Sequence, residues 1–122
     1  MDTPTPGTDL SDRRYRRVPG PFEGWWLGAF PVAVDVRDLS AGGCLIQSYR
    51  EPMRGSRLSL ELDLPFLGAV TFTGEVLYVR VGYGFAVEFV DVPPALRARL
   101  EDVATRLLRV TESPADVRSV TN

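Results

Sequence analysis

Apolar and polar residues alternate over most of this chain. Val32, Val34 and Val36 are interleaved with Ala33, Asp35 and Arg37, and Leu58, Leu60, Leu62 and Leu64 with Ser59, Glu61 and Asp63. Successive side chains of a strand point to opposite faces, so a period of two predicts strands with one face in a core and the other in water. The leucine set is the cleanest. Val70, Phe72 and Val76 continue the pattern, with Gly74 a candidate for a bulge or a close backbone approach. Phe85, Val87 and Phe89 form a further set, and residues 42–47 (GGCLIQ) a short extra strand. Upstream, residues 18–24 (VPGPFEG) carry two prolines, which disfavour both a helix and a central strand.

The period changes after Pro93-Pro94. Leu96, Leu100, Val103 and Leu107 recur at helical spacing, with Arg97, Arg99, Glu101, Asp102 and Arg106 mostly on the other face. Proline is tolerated at a helix start, where its missing N–H would find no partner anyway. One amphipathic C-terminal helix is therefore expected, laying its leucine stripe on the strands. Short strands at close spacing with one terminal helix predict a mainly β fold, a small antiparallel barrel whose closure removes exposed edges. Strand and helix do not alternate, which argues against a doubly wound fold. Residues 1–12 read as a flexible lead-in rich in Pro, Thr, Asp and Gly, 13–109 as the domain, and 110–122 as a flexible tail.

Composition narrows the chemistry. A chain of 122 residues has room for one domain, and 44% hydrophobic residues suffice for a core. No apolar run is long enough to span a bilayer and the first residues form no apolar signal, so no membrane insertion and a cytoplasmic location are expected. The single cysteine, Cys44, has no internal disulfide partner; it alternates into a core position and reads as inert. The chain has no histidine, the commonest general base and metal ligand. With one cysteine beside it, no standard zinc site, Ser-His-Asp triad or Cys-His pair can be assembled. The expectation is no enzyme, no metal and no cofactor. All 14 basic residues are arginine, which reads mainly as codon usage. A net charge of -2 argues against general nucleic-acid binding, yet four of the 14 arginines fall within residues 13–17.

Two local features stand apart from the scaffold. Arg13 and Arg17 are spaced so that, in an extended segment, their Cα atoms lie about 13 Å apart. That span suits wrapping a ligand, and the arginine fork pairs bidentately with phosphate oxygens or with guanine O6 and N7. The second feature is Asp38-Leu39-Ser40-Ala41-Gly42-Gly43, following the Val32–Val36 set. A spacing of two puts Asp38 and Ser40 on one face of an extended chain. A carboxylate only accepts hydrogen bonds, so Asp38 complements guanine N1–H and N2–H, with the serine hydroxyl beside it. Gly42 and Gly43 clear room for a flat base. Each feature also has a plain reading: a solvated basic patch for the first, turn capping by Asp and Ser for the second.

These residues resemble the PilZ family of bacterial cyclic di-GMP receptors, whose signature is RxxxR followed by [D/N]xSxxG. Arg13-Arg14-Tyr15-Arg16-Arg17 and Asp38-Leu39-Ser40-Ala41-Gly42-Gly43 carry it, and Gly84–Phe89 followed by a helix looks like the family's last strand and helix. The likeness spans roughly residues 13–108. It implies a six-stranded antiparallel barrel with a C-terminal helix, and cyclic di-GMP as ligand. It places Arg13, Arg14 and Arg17 in a clamp over a floor of Asp38, Ser40 and Gly43, with Tyr78 a candidate to stack on guanine. It further implies a relay to an unidentified protein partner. The main alternative is a PilZ-like adaptor acting by protein contacts alone. A barrel for single-stranded nucleic acid and a carboxylate hydrolase rank lower. Trp25 and Trp26, being adjacent, should face opposite ways, one toward the core and the other toward a partner. Glu61 and Asp63 read as a solvated face rather than a catalytic pair.

Overall fold

The computed structural model describes residues 15–121, with side chains from Tyr15 to Arg109. Residues 1–14, and with them the lead-in and both Arg13 and Arg14, lie outside the described residues. Six strands occur in the order β1 (Val18–Trp26), β2 (Val32–Ser40), β3 (Gly43–Gln47), β4 (Arg57–Leu64), β5 (Gly68–Arg80) and β6 (Gly84–Val90), followed by helix α1 (Pro94–Thr121). They close into a barrel in the spatial order β1-β2-β3-β6-β5-β4, each neighbour antiparallel. The small barrel expected from alternation is the fold.

The alternating residues fill its interior. Val34, Val36, Ile46, Leu60, Leu62, Val76, Phe85 and Val87 are buried, and Phe72 stacks on Phe89 with ring centres 4.4 Å apart. Each fully buried side chain of this size contributes about 1.5–3 kcal/mol through burial. Trp26 turns inward, its ring edge-on to Phe85 at 5.4 Å, while Trp25 is half exposed, as two adjacent strand residues must divide. Gly74 is a close-approach point: a Cβ there would sit 3.0 Å from Val87 Cβ.

Two elements extend past their expected limits. β1 reaches back through Pro19 and Pro21 to Val18, where the prolines argued against a strand. The reason lies in the pairing: only Glu23–Trp26 of β1 also pair with β4, so the proline half has a single neighbour, β2, and its register shifts between Pro19 and Phe22. A missing N–H costs little on a free edge or at a bulge. Helix α1 likewise runs beyond residue 109 to Thr121, its backbone helical through Pro114, since a proline removes one donor without forcing the helix to end. Its buried stripe is Leu100, Val103 and Ala104, with Leu96 against the core. No helix among the described residues is long and apolar enough to cross a membrane.

The barrel has two ends. The β2–β3 turn, the β4–β5 turn and helix α1 gather at one. Loops 27–31, 48–56 and 81–83 gather at the other.

Candidate functional site

A slip in strand phase builds the site. Val34 and Val36 point inward, and strict alternation would send Asp38 after them. Instead the register of β2 on β3 shifts: Val36 opposes Ile46 and Asp38 opposes Leu45, leaving Arg37 as the extra residue of a bulge. One inserted residue reverses the phase. Leu39 therefore enters the core and Asp38 emerges on the outer wall. The same device recurs on β5, where Val76 opposes Val87 and Tyr78 opposes Ala86. That bulge, at Leu77, turns Tyr78 outward from a frame whose other members, Phe72 and Val76, are buried.

The two bulges align one rung across four strands. Asp38 pairs with Leu45, Leu45 with Ala86, and Ala86 with Tyr78. Small and apolar residues thus lie between a carboxylate and a phenol. Arg17 comes down on this rung from the chain before β1 and forms an ion pair with Asp38 through Nη2 and Oδ2. Arg17, Asp38, Ser40, Gly43 and Tyr78 line one shallow hollow together with Leu45, Leu77 and Ala86. It encloses only about 30 Å³, the space of one water, so a larger ligand would lie along the wall rather than in a cavity.

The corner residues do more internal work than their sequence pattern suggests. Ser40 is buried; its hydroxyl accepts from the Gly42 N–H at 3.1 Å and reaches the Gly43 carbonyl at 3.5 Å, the turn-capping role. A Cβ on Gly43 would lie 2.2 Å from the Val87 carbonyl oxygen, and one on Gly42 would lie 2.9 Å from the Tyr15 ring. Both glycines admit this protein's own atoms, where the sequence suggested room for a flat base. Cys44, beneath them, is buried; its burial, then the Asp38 carboxylate, push the thiol pKa well above the usual range.

Two residues that sequence reasoning passed over tie the corner to the helix. Arg97, in the first turns of α1, donates from Nη1 to the Ala41 carbonyl at 2.9 Å, and its guanidinium lies 5.4 Å from the centre of the Tyr15 ring. Tyr15, the middle residue of the arginine run, thereby touches both the β2–β3 turn and the helix. Its position between the paired arginines was the available signal; nothing local marked Arg97. Among the described residues no cluster of histidine, cysteine and carboxylates could hold a metal ion.

Comparison with known proteins follows the same outline. A family model described as the PilZ domain matches residues 12–106. No curated protein sequence matches the chain. Among solved structures, YcgR from Escherichia coli in complex with c-di-GMP superposes with a TM-score of 0.74 at 22% identity, covering 86% of this chain and 50% of that one. The chain thus spans half the length of that relative. The PilZ domain of YcgR with c-di-GMP gives a TM-score of 0.67 at 19% identity over 86% and 98% of the two chains. The Bacillus subtilis inhibitor of motility MotI/DgrA gives 0.68 at 15% identity over 80% and 51%. At these identities the likeness is one of fold.

Proposed function

The chain belongs to the PilZ domain family, and from that premise we propose that it is a non-enzymatic receptor for cyclic di-GMP that relays binding to a protein partner. One observation carries the reading: the two motifs, far apart in sequence, meet through the Arg17–Asp38 ion pair over a wall ending in Tyr78. Each side chain supplies what a guanine nucleotide needs. Asp38 accepts from guanine N1–H and N2–H, the Arg17 fork donates to phosphate oxygens or to guanine O6 and N7, and Tyr78 offers a ring for stacking. By family resemblance, Arg13 and Arg14 would add to the clamp. Ser40 and Gly43 hold the corner in shape, and thereby hold Asp38 in place.

The ligand must exchange the Arg17–Asp38 pair for its own contacts. The two side chains are 44% and 22% exposed, so solvent screens the pair and breaking it costs about 1 kcal/mol or less. Closure of residues 13–17 on a ligand would draw Tyr15 from its place between Arg97 and Gly42. The turn and helix α1 would register the event, which gives the relay a physical path. The adaptor reading draws on a separate observation, the internal engagement of Ser40, Gly42 and Gly43.

Titration calorimetry with cyclic di-GMP discriminates between them. The expected dissociation constant lies on the order of sub-micromolar to tens of micromolar, about -6 to -9 kcal/mol. Absence of heat at about 200 micromolar ligand, well above the weak end of that range, would leave the adaptor as the reading.

A further inference from the structure

The barrel end away from the β2–β3 turn carries an exposed surface that this function does not use. Three loops form it: 27–31 joins β1 to β2, 48–56 crosses from β3 to β4, and 81–83 joins β5 to β6. Loop 48–56 is tied to loop 81–83: the Ser48 N–H donates to the Tyr83 carbonyl at 3.1 Å and the Gly82 N–H to the Glu51 carboxylate at 3.1 Å. Loop 27–31 is tied to β4, where the Leu27 N–H donates to the Ser59 carbonyl at 2.9 Å. Gly82 holds a φ of 80°, which keeps its turn tight.

Each loop presents a large apolar side chain to solvent. Phe30 is 77% exposed, Met53 79% and Val81 84%, and Tyr49 is fully exposed. Scattered exposed apolar residues are ordinary; several on adjoining loop tips at one pole mark a contact surface. Arginines outnumber carboxylates at this pole. Arg50 and Arg54 stand on loop 48–56 and Arg80 at the end of β5, against Glu51, which is engaged by the Gly82 N–H, and Asp35, which lines a hollow with Tyr49 and Tyr83. The Arg50 guanidinium lies over the Trp26 ring at 5.2 Å and that of Arg80 over the Tyr83 ring at 5.5 Å, cation–π contacts that hold both charges against aromatic surface at this pole. The molecule as a whole is acidic, with a net charge of -2. This concentration of arginine is therefore local.

We propose that this pole docks on an anionic phospholipid surface, with Phe30, Met53 and Val81 entering the headgroup layer and the arginines meeting lipid phosphates. Charge complementarity and shape both select this occupant. Apolar residues on separate protruding tips, ringed by arginines and tyrosines, match the boundary between headgroups and acyl chains. The contact lies on the membrane and does not cross it.

Sedimentation with vesicles tests this without cyclic di-GMP, so its outcome is independent of the receptor reading. Wild-type protein should pellet at least tenfold more with vesicles of phosphatidylcholine and phosphatidylglycerol at about 70:30 than with phosphatidylcholine alone, and less at high salt. Brominated lipids should quench its tryptophan fluorescence. The double variant Phe30→Ser/Met53→Ser should lose most of the binding, and Arg54→Glu should weaken it by about fivefold or more. Both keep their fold if circular dichroism and melting are unchanged, as exposed positions allow. Phe66→Ser, at the opposite end of the barrel and also exposed, should bind as wild type. Equal pelleting with both lipid mixtures overturns the proposal, as does a Phe66→Ser loss matching that of Phe30→Ser/Met53→Ser. Binding to soluble polyglutamate without partition to vesicles would also overturn it, assigning the pole to an acidic polypeptide.

Discussion

Arg17 and Asp38 form a contact that any two opposite charges could make, so the question at the residue scale is whether Arg17 acts by charge or by shape. The substitution Arg17→Lys separates the two. It keeps the positive charge, and a loosely electrostatic site would hardly register it. A clamp on phosphate or a guanine edge would lose its bidentate fork. The expected cost is about 1–3 kcal/mol, or roughly five- to 150-fold in affinity for cyclic di-GMP. Arg16→Lys, outside the RxxxR frame, should cost little. Calorimetry at constant salt, which holds screening fixed, compares them; near wild-type binding by both variants would reduce the cluster to a basic patch. The glycines teach a different lesson at this scale. Gly43 stands in the motif read as a ligand floor, yet its missing Cβ makes room for the Val87 carbonyl of the neighbouring strand. A residue type can satisfy a binding signature while its immediate physical reason is packing.

Among the elements, the bulges of β2 and β5 have the largest consequences. They turn Asp38 and Tyr78 out of the barrel onto one rung of its wall. Deleting Arg37 removes the extra residue of the β2 bulge and joins Asp38 directly to Val36, so regular alternation then sends Asp38 outward and Leu39 inward, with Val36 still opposite Ile46 and Asp38 opposite Leu45. The deletion variant should therefore keep a cooperative thermal transition by circular dichroism, as should Arg37→Ala, which keeps the bulge. If the deletion alone lost that transition, the phase argument for the site would fail. Helix α1 belongs to the same scale: its amphipathic stripe seats it on the barrel, and from that seat Arg97 reaches the Ala41 carbonyl and the Tyr15 ring.

For the whole molecule, a single acidic group buried in the core makes stability depend on pH. The Cys44 thiol is held above its ordinary value near pH 9.0 by burial and by Asp38. When the folded pKa is the higher one, the native state retains its proton after the unfolded chain has released it. Stability from this group is then full below about pH 9 and falls as pH rises beyond it, by about 1.4 kcal/mol per pH unit. Urea unfolding of wild type and Cys44→Ala between about pH 8 and 10.5 should show the steeper decline in wild type alone, since the two proteins differ only in the thiol. Parallel declines would mean that the thiol is not held in its neutral form. The barrel also keeps its two ends apart, with the β2–β3 turn and the helix at one and the arginine-ringed apolar tips at the other.

Much of this architecture was legible from residue order. Alternation named the members of the core, because a strand presents alternate side chains to each face whatever its neighbours. The leucines of β4 are all buried, and the change to helical spacing after Pro94 marked α1. The two arginine and aspartate motifs were legible as patterns for the same reason: their spacing is local. Pairing decided the rest. Strand period alone puts Asp38 on the face of Val36, and only its register against β3 reveals the bulge that turns it outward. The prolines of β1 are admissible because that half of the strand has one neighbour, a fact of sheet order. Tyr15 meets Arg97, and the exposed loop tips meet at one pole, because closure of the barrel brings together segments that are distant along the chain. Local steric preference sets the period of each element, whereas long-range pairing sets its phase, and here the phase decides which residues face the ligand.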